Sequence, residues 1–486
     1  MKRTRLSDIF NADSIRNKKR ILDRFEINKK EKRLFLDAIE EIKNNGGGSN
    51  VGNVLKEKDC NFYDYDGTLL YSYTKEEALA LTELPPLPTQ PGLICQEWNY
   101  TFEDMKSYVA DYGVLNVGAT YITDDGKTRL YITIAAEGRM DVPLRLQQSV
   151  SEGVIVDWGD GNTETFSGTS ATTLRHTYSK IGDYVISLEV VNGTLTLKGS
   201  GSYGIFADLK KVYSNMLQKV EIGNSVTSIG NYAFYNCYSL VSIVIPNSIT
   251  SIEGYTFSAC YSLASVVIPN SVTSIAENTF DSCYSLALVV ITNNVTSIEG
   301  YTFYGCYSLI SVVIPNSVIS IGTYAFSHCF SLASVVIPNN VTNIGNNAFY
   351  NCYGIASVVI PSSVTSLGSY ALYYCFSLTS FIIPNSITSI EKNTFDTCYS
   401  LTSIVIPNNV TSIGNKAFSN CSSVALYDFR THTLVPTLSS TNAFEIISYD
   451  CKIVVPDVLY DEWIAATNWS NYTNKIIKTS EYEAQQ

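Results

Sequence analysis

L-I-S-V-V-I-P-N-S-V-I-S-I-G-T-Y-A-F-S-H-C-F-S, residues 309–331, is one unit of a pattern that decides the fold. The unit recurs every 23 residues through the second half of the 486-residue chain. Its clearest marker is a cysteine, at Cys237, Cys260, Cys283, Cys306, Cys329, Cys352, Cys375, Cys398 and Cys421. Phenylalanine keeps the register at Phe234, Phe257, Phe280, Phe303, Phe326, Phe349, Phe395 and Phe418, with Leu372 replacing it once. Proline recurs from Pro246 to Pro407, with Gly223 and Thr292 at the same phase. A fixed period of this length predicts a solenoid in which each coil touches only its neighbours.

The β-branched V-V-I run suits a short strand. The I-P-N-S step reads as a turn, because proline fixes φ and donates no backbone hydrogen bond. The segment ending F-x-x-C is expected to be short helical or irregular backbone on the other side of the coil. With strands about 4.8 Å apart, nine coils give a rod of roughly 43 Å. The nine cysteines read as small buried hydrophobes. Each unit brings one cysteine and no paired histidine, so a zinc array does not fit. An odd number and strict Cβ geometry argue against a disulfide ladder.

Residues 203–428 resemble the BspA-type leucine-rich repeat family through I-P-x-x-V-x-x-I-G-x-x-A-F-x-x-C-x-x-L. L-V-P-T-L-S-S-T-N-A-F (434–444), C-K-I-V-V-P (451–456) and W-I-A-A-T-N-W-S-N-Y (463–472) resemble that family's C-terminal cap, placed at 429–486. A cap is physically required, since the last coil otherwise exposes an unpaired edge. The resemblance implies adhesion or protein binding.

Thirty-four tyrosines are an unusual load. Tyr238, Tyr261, Tyr284, Tyr307, Tyr353 and Tyr399 follow the repeat cysteine, with Phe330 and Phe376 at the same phase. Tyr232, Tyr255, Tyr301, Tyr324 and Tyr370 sit two residues before the phenylalanine position. These residues either cover the edge of the core or form an aromatic ladder that docks a host-surface protein or carbohydrate.

Residues 1–44 hold 13 Lys+Arg and 8 Asp+Glu, a net of +5 against −12 for the whole chain, which leaves −17 for the rest. Ile15, Ile21, Leu22 and Phe25, then Leu34, Phe35, Ala38, Ile39 and Ile42, fall at helical spacing. Residues 1–45 are read as an anchor of two short amphipathic helices that docks on other virion proteins or on copies of itself. A flexible linker at 46–57 contains Gly46-Gly47-Gly48-Ser49. The basic runs Lys18-Lys19-Arg20 and Lys29-Lys30 offer nucleic-acid binding as a rival, against a solvated charged face. No apolar segment follows the basic start, so no secretory signal is read there. No run of 18 apolar residues predicts a membrane span.

N-F-Y-D-Y-D-G-T-L-L (61–70) matches the D-x-D-G-T signature of haloacid-dehalogenase-type phosphatases, with Asp64 and Asp66 as would-be catalytic carboxylates and Asp124-Asp125 as a later pair. The prolines at Pro85, Pro86, Pro88 and Pro91 and the lack of crossover helices instead favour a turn at Asp66-Gly67 between two strands. Residues 58–118 resemble a module of phage-tail-like and repeat-bearing proteins of gut bacteria and their viruses, and are read as a mounting or spacer unit. The N-terminus also resembles structural proteins of crAss-like phages. V-I-V-D-W-G-D-G-N-T-E (154–164) and H-T-Y-S-K-I-G-D-Y-V-I-S-L-E-V (176–190) resemble the PKD family, so 119–200 is read as an immunoglobulin-like β-sandwich with Trp158 in its core. Asp157 and Asp160 are turn formers there, with calcium binding as the alternative.

His176, His328 and His432 stand in no nucleophile motif, and no phosphate or dinucleotide loop occurs. The sequence therefore points to a mainly β, non-enzymatic binding protein without metal or cofactor. The expected setting is a virion fibre or appendage, homo-oligomeric and by analogy trimeric. The alternative is a bacterial cell-surface or secreted adhesin.

Overall fold

The computed structural model describes residues 58–199, 204–206, 213 and 215–485. The anchor and linker expected at 1–57 lie outside the described residues.

The fold is mainly β, and its body is a solenoid of stacked coils. Most coils carry a three-residue strand, such as Ser265–Val267, Ser311–Val313 or Ser334–Val336, and neighbouring strands pair in parallel along the stack. The I-P-N-S turn forms as expected, with Ile249, Val272 and Val318 N–H donating to the carbonyls of Pro246, Pro269 and Pro315. A second ladder of two-residue strands, including Ser297–Ile298, Ser320–Ile321 and Asn343–Ile344, follows the turn.

The F-x-x-C segment is neither helix nor loose loop but a chain of tight turns. Two positions per coil are left-handed, five residues and one residue before the cysteine phase. Tyr232 and Asn236, Tyr255 and Ala259, and Tyr324 and His328 are examples, and the non-glycine members span φ +54° to +66°. Such backbone costs on the order of 1 kcal/mol per residue. It aims each N–H along the solenoid axis. Asn236, Ala259, His328 and Asn351 donate to the carbonyls of Ser258, Asp281, Tyr350 and Tyr373 in the next coil at 2.7–3.0 Å.

Inside the coils, phenylalanines stack face to face from Phe234 to Phe349 with centroids 5.3–5.5 Å apart. The nine repeat cysteines are free and buried. They are more than small hydrophobes, because each thiol from Cys260 to Cys421 donates to the carbonyl of the phenylalanine-phase residue in the preceding coil. Cys283 Sγ reaches Phe257 O at 3.1 Å and Cys352 Sγ reaches Phe326 O at 3.0 Å. Burial pushes the thiol of Cys237 up to about 12 and raises the others likewise. Where Leu372 replaces phenylalanine, Phe381 takes the inward strand position that valine or isoleucine holds in the other repeat strands. It packs edge-on against Phe395 at 4.8 Å, restoring the lost volume. Strand pairing in both ladders is interrupted at this coil.

Strands β1 (Cys60–Tyr63), β2 (Leu69–Tyr73), β3 (Leu93–Trp98) and β4 (Leu115–Thr123) form a separate sheet ordered β2-β1-β4-β3, with helices α1 (Lys75–Ala80) and α2 (Phe102–Tyr112). This module reaches Thr123, beyond the expected boundary at 118.

The next strands are β5 (Thr128–Ile134), β6 (Asp141–Gln148), β7 (Val154–Asp157), β8 (Thr163–Phe166), β9 (Thr172–Thr177), β10 (Gly182–Val190) and β11 (Leu195–Leu197). They form a two-sheet sandwich with Trp158 buried in its core. The sandwich is fused to the solenoid. β5 pairs with the first repeat strand β12 (Leu217–Glu221), and β11 pairs with β13 (Val226–Ile229). Each sandwich sheet thus runs on into one strand ladder, and one hydrophobic core extends from Leu130 to Ile476. No repeat edge is left open at that end. At the other end Phe444 continues the phenylalanine stack at 5.4 Å from Phe418. Trp463 and Trp469 fill the cap, with Trp469 Nε1 donating to Pro436 O.

Candidate functional site

The aromatic residues that follow the cysteines come together as expected. Tyr238, Tyr261, Tyr284, Tyr307, Phe330, Tyr353, Phe376 and Tyr399 form one stack, with successive centroids 4.5–5.3 Å apart and planes within 18° of parallel. The cause is the 23-residue register, which places one ring above the next at the strand spacing. The rings are half-buried apart from Tyr307, which is buried. Their faces are occupied by each other, so the ladder presents edges and phenol oxygens. A sugar that needs a flat ring face finds none along the stack; hydrogen-bonding groups of a partner find a row of edges.

The second series is broken into pairs. Tyr232 stacks on Tyr255 at 4.9 Å and Tyr301 on Tyr324 at 4.8 Å. Asn278 and Asn347 interrupt it at the same left-handed position. Tyr370 lies beside Tyr373 and under the Lys392 ammonium at 5.4 Å.

A further cluster was not visible in the sequence. Tyr304, His328 and Tyr350 meet with centroids 5.1 and 5.4 Å apart, and Tyr350 stacks on Tyr373 at 5.1 Å. Ser327 Oγ lies 2.9 Å from His328 Nδ1, and Asn351 Nδ2 lies 3.0 Å from Nε2. Burial lowers the His328 imidazole to about 4, so it is neutral near pH 7. Burial pushes the Tyr350 phenol up to about 12.

Residues 300–390 contain no Asp, Glu, Lys or Arg. With His328 neutral, 91 consecutive residues, spanning all faces of the central coils, carry no formal charge. The surface there offers apolar contact and neutral hydrogen bonds, which salt screens little. The buried carboxyls outside this window are engaged. Asp281 bonds Ser282 and Ser258, and Asp396 bonds Asn393, Thr397 and Asn420; burial holds both above the usual carboxylate range.

The D-x-D-G-T stretch is a hairpin. Asp64 N–H donates to Thr68 O, Gly67 N–H donates to Asp64 O, and Asp66 accepts from Thr68 N–H. The buried Asp64 carboxylate is held by Gln90 and Tyr65 N–H, and Asp125 is paired with Arg129. In the sandwich, Asp157 accepts from Gly159 N–H and Asp160 from Asn162 and His176, the work of turn formers. Among the described residues no group of three His, Cys, Asp or Glu side chains is placed to hold a metal, and no helix is long and apolar enough to cross a membrane. The expected anchor residues Ile15, Ile21, Leu22, Phe25, Leu34, Phe35, Ile39 and Ile42 lie outside the described residues.

Residues 210–331 and 296–425 match the model for the BspA type leucine rich repeat region, in six copies. No curated protein matches the chain. Among solved structures, a leucine rich cell surface protein from Faecalibacterium prausnitzii is similar at 27% identity, covering 54% of this chain and 90% of its own, with a TM-score of 0.33. The leucine-rich repeat protein of T. pallidum shows 24% identity, 43% and 83% coverage, and a TM-score of 0.28. The pneumococcal vaccine antigen PcpA shows 15% identity, 60% and 85% coverage, and a TM-score of 0.39.

Proposed function

We propose, for a chain whose residues 210–425 belong to the BspA-type leucine-rich repeat family, a non-enzymatic role in adhesion. The repeat region presents a neutral, aromatic-edged surface to a host-surface protein or carbohydrate. The observation that carries this reading is the eight-ring ladder, four of whose rings, Tyr307, Phe330, Tyr353 and Phe376, lie in the charge-free window. Rigid tyrosines lose little entropy on binding and supply both apolar area and a hydroxyl.

The setting we favour is a virion fibre or appendage. Residues 1–45 would attach it to other virion proteins, and the chain would act as a homo-oligomer, with a trimer the simplest case. The phage-module resemblance of 58–118 supports this setting, and the sandwich is taken as PKD-like on its Trp158 core and Asp160-Gly161 turn. A bacterial cell surface is the alternative setting.

Two experiments test the proposal. Full-length protein carrying Tyr261→Phe, Tyr284→Phe and Tyr353→Phe keeps the stack and loses three hydroxyls. Its adhesion to host cells should fall severalfold, while wild-type adhesion stays constant from 50 to 500 mM NaCl, both conditions chosen on the order of the Debye range. Unchanged adhesion by the triple variant would remove the ladder as the binding element. Mass spectrometry of purified particles and of uninfected cells separates the settings: recovery only from the cells sinks the virion reading.

A further inference from the structure

Strand residues facing outward from the solenoid form one column: Val244, Val267, Val290, Val313, Val336, Val359, Ile382 and Val405. The column ends at ion-paired acids, Glu221 with Lys219 at one end and Asp428 with Arg430 at the other. Its first half is covered by the 58–123 module. Tyr63 and Leu69 pack on Val267 and Val290, and the module core includes Val244 and Val313. A Cβ on Gly118 would come within 2.6 Å of Val267 Cγ1, so only glycine fits there.

The module also reads the I-P-N phase of successive coils. Gln96 accepts from Asn247 N–H, Asn99 donates to Ile268 O, Tyr100 to Ile291 O and Tyr108 to Ile314 O, and Tyr112 accepts from Asn339 N–H. Tyr108 and Tyr112 are one helical turn apart on α2 and meet adjacent coils. The match is physical: a helix advances about 5.4 Å per turn and a coil stack about 4.8 Å per coil.

The module stops after that contact, but the surface continues. Val336 is half-buried, and Val359, Ile382 and Val405 are exposed, with Ile360, Ile383 and Ile406 holding the carbonyls at the same phase. We propose that this open half of the column docks an amphipathic helix of a partner protein, lying along the axis as α2 does. Its docking face is uncharged, with tyrosine or amide groups at i, i+4 and i+8. Continuity with the module's footprint gives the orientation, and the uncharged coils that carry Val336, Val359 and Ile382 give the chemistry. Four coils span about 19 Å, the length of a helix of about 13 residues. A column of four aliphatic side chains offers on the order of a few hundred Å². That is small beside the roughly 1,200 Å² that both partners of a stable dimer bury together, and it suits a single short segment rather than a second copy. This inference does not depend on the aromatic ladder.

The test uses full-length protein and, as probe, a fluorescent hydrocarbon-stapled peptide of residues 99–114. Anisotropy should show saturable binding that is insensitive to salt. Ile382→Glu should weaken it at least tenfold, while Ile319→Glu, an exposed aliphatic outside the column, leaves it unchanged. Both variants should keep the wild-type melting temperature. Absence of saturable binding, or equal loss in both variants, overturns the proposal. So does a dimer of the protein alone that Ile382→Glu dissolves, which would make a second copy the occupant, and so does binding to neutral phosphatidylcholine vesicles that Ile382→Glu abolishes.

Discussion

Coils 242–313 and coils 334–405 carry nearly the same strand sequence and live in different surroundings. Val244, Val267, Val290 and Val313 are 1, 6, 1 and 9% exposed; Val359, Ile382 and Val405 are 61, 82 and 58% exposed. Nothing in the repeat separates the two halves. The difference comes from the 58–123 module, which packs on the outward strand column of the first coils. One repeat face is thus core in one place and surface in another, and identical residues carry different energies.

The largest break in this comparison should come from charge. Val290→Asp buries an unpaired carboxylate and should cost about 3–5 kcal/mol in urea unfolding. Val359→Asp should change stability by no more than about 0.5 kcal/mol. Similar costs for the two would mean that the module does not cover the first half. Next in size is Gly118→Ala, which forces a methyl into Val267 and should cost about 1–3 kcal/mol. Val267→Ala should recover part of that loss, a coupling that a double-mutant cycle reads directly. Tyr108→Phe removes the bond to Ile314 O and should cost about 1–3 kcal/mol, because the carbonyl stays buried. The same change at Tyr370, away from the module, should be near neutral.

Smaller per group is the alkaline effect. Burial raises the Cys237 thiol from 9.0 to about 12, so folding favours the protonated form. That stability is complete below pH 9 and is lost as pH rises from 9 toward 12, since only the unfolded chain then releases its protons. The other repeat thiols shift the same way, so calorimetry should show the melting temperature flat from pH 7 to 8.5 and falling by pH 10.5. An unchanged melting temperature at pH 10.5 would place the thiols in contact with water.

The repeat and its inward phenylalanine and cysteine positions were legible because a 23-residue period repeats the cysteine nine times and the phenylalanine eight; the cap, present once, was legible only through its resemblance. The second strand ladder was not, since two residues per coil are too few to show alternation. The left-handed turn positions hid because they hold Tyr, Asn, Ala, Ser, His, Thr and Lys, and glycine only at Gly305. The thiol hydrogen bonds hid because cysteine reads equally well as a plain hydrophobe. Module docking was unreadable for a different reason. Its polar contacts with the coils join residues 150–227 apart, and several end on backbone carbonyls, which leave no trace in residue identity. The aromatic ladder lay between these cases: its members were named from spacing, while the loss of their ring faces to one another needed geometry.

Cysteine scanning of the outward column tests the central claim most directly. The repeat cysteines are buried with raised thiols, which keeps the maleimide background low. In the full-length protein, Val359→Cys, Ile382→Cys and Val405→Cys should label at the rate of a free thiol. Val244→Cys, Val267→Cys and Val290→Cys should label at least a hundredfold more slowly, on the order expected when access requires local opening. Equal rates along the whole column would contradict the account.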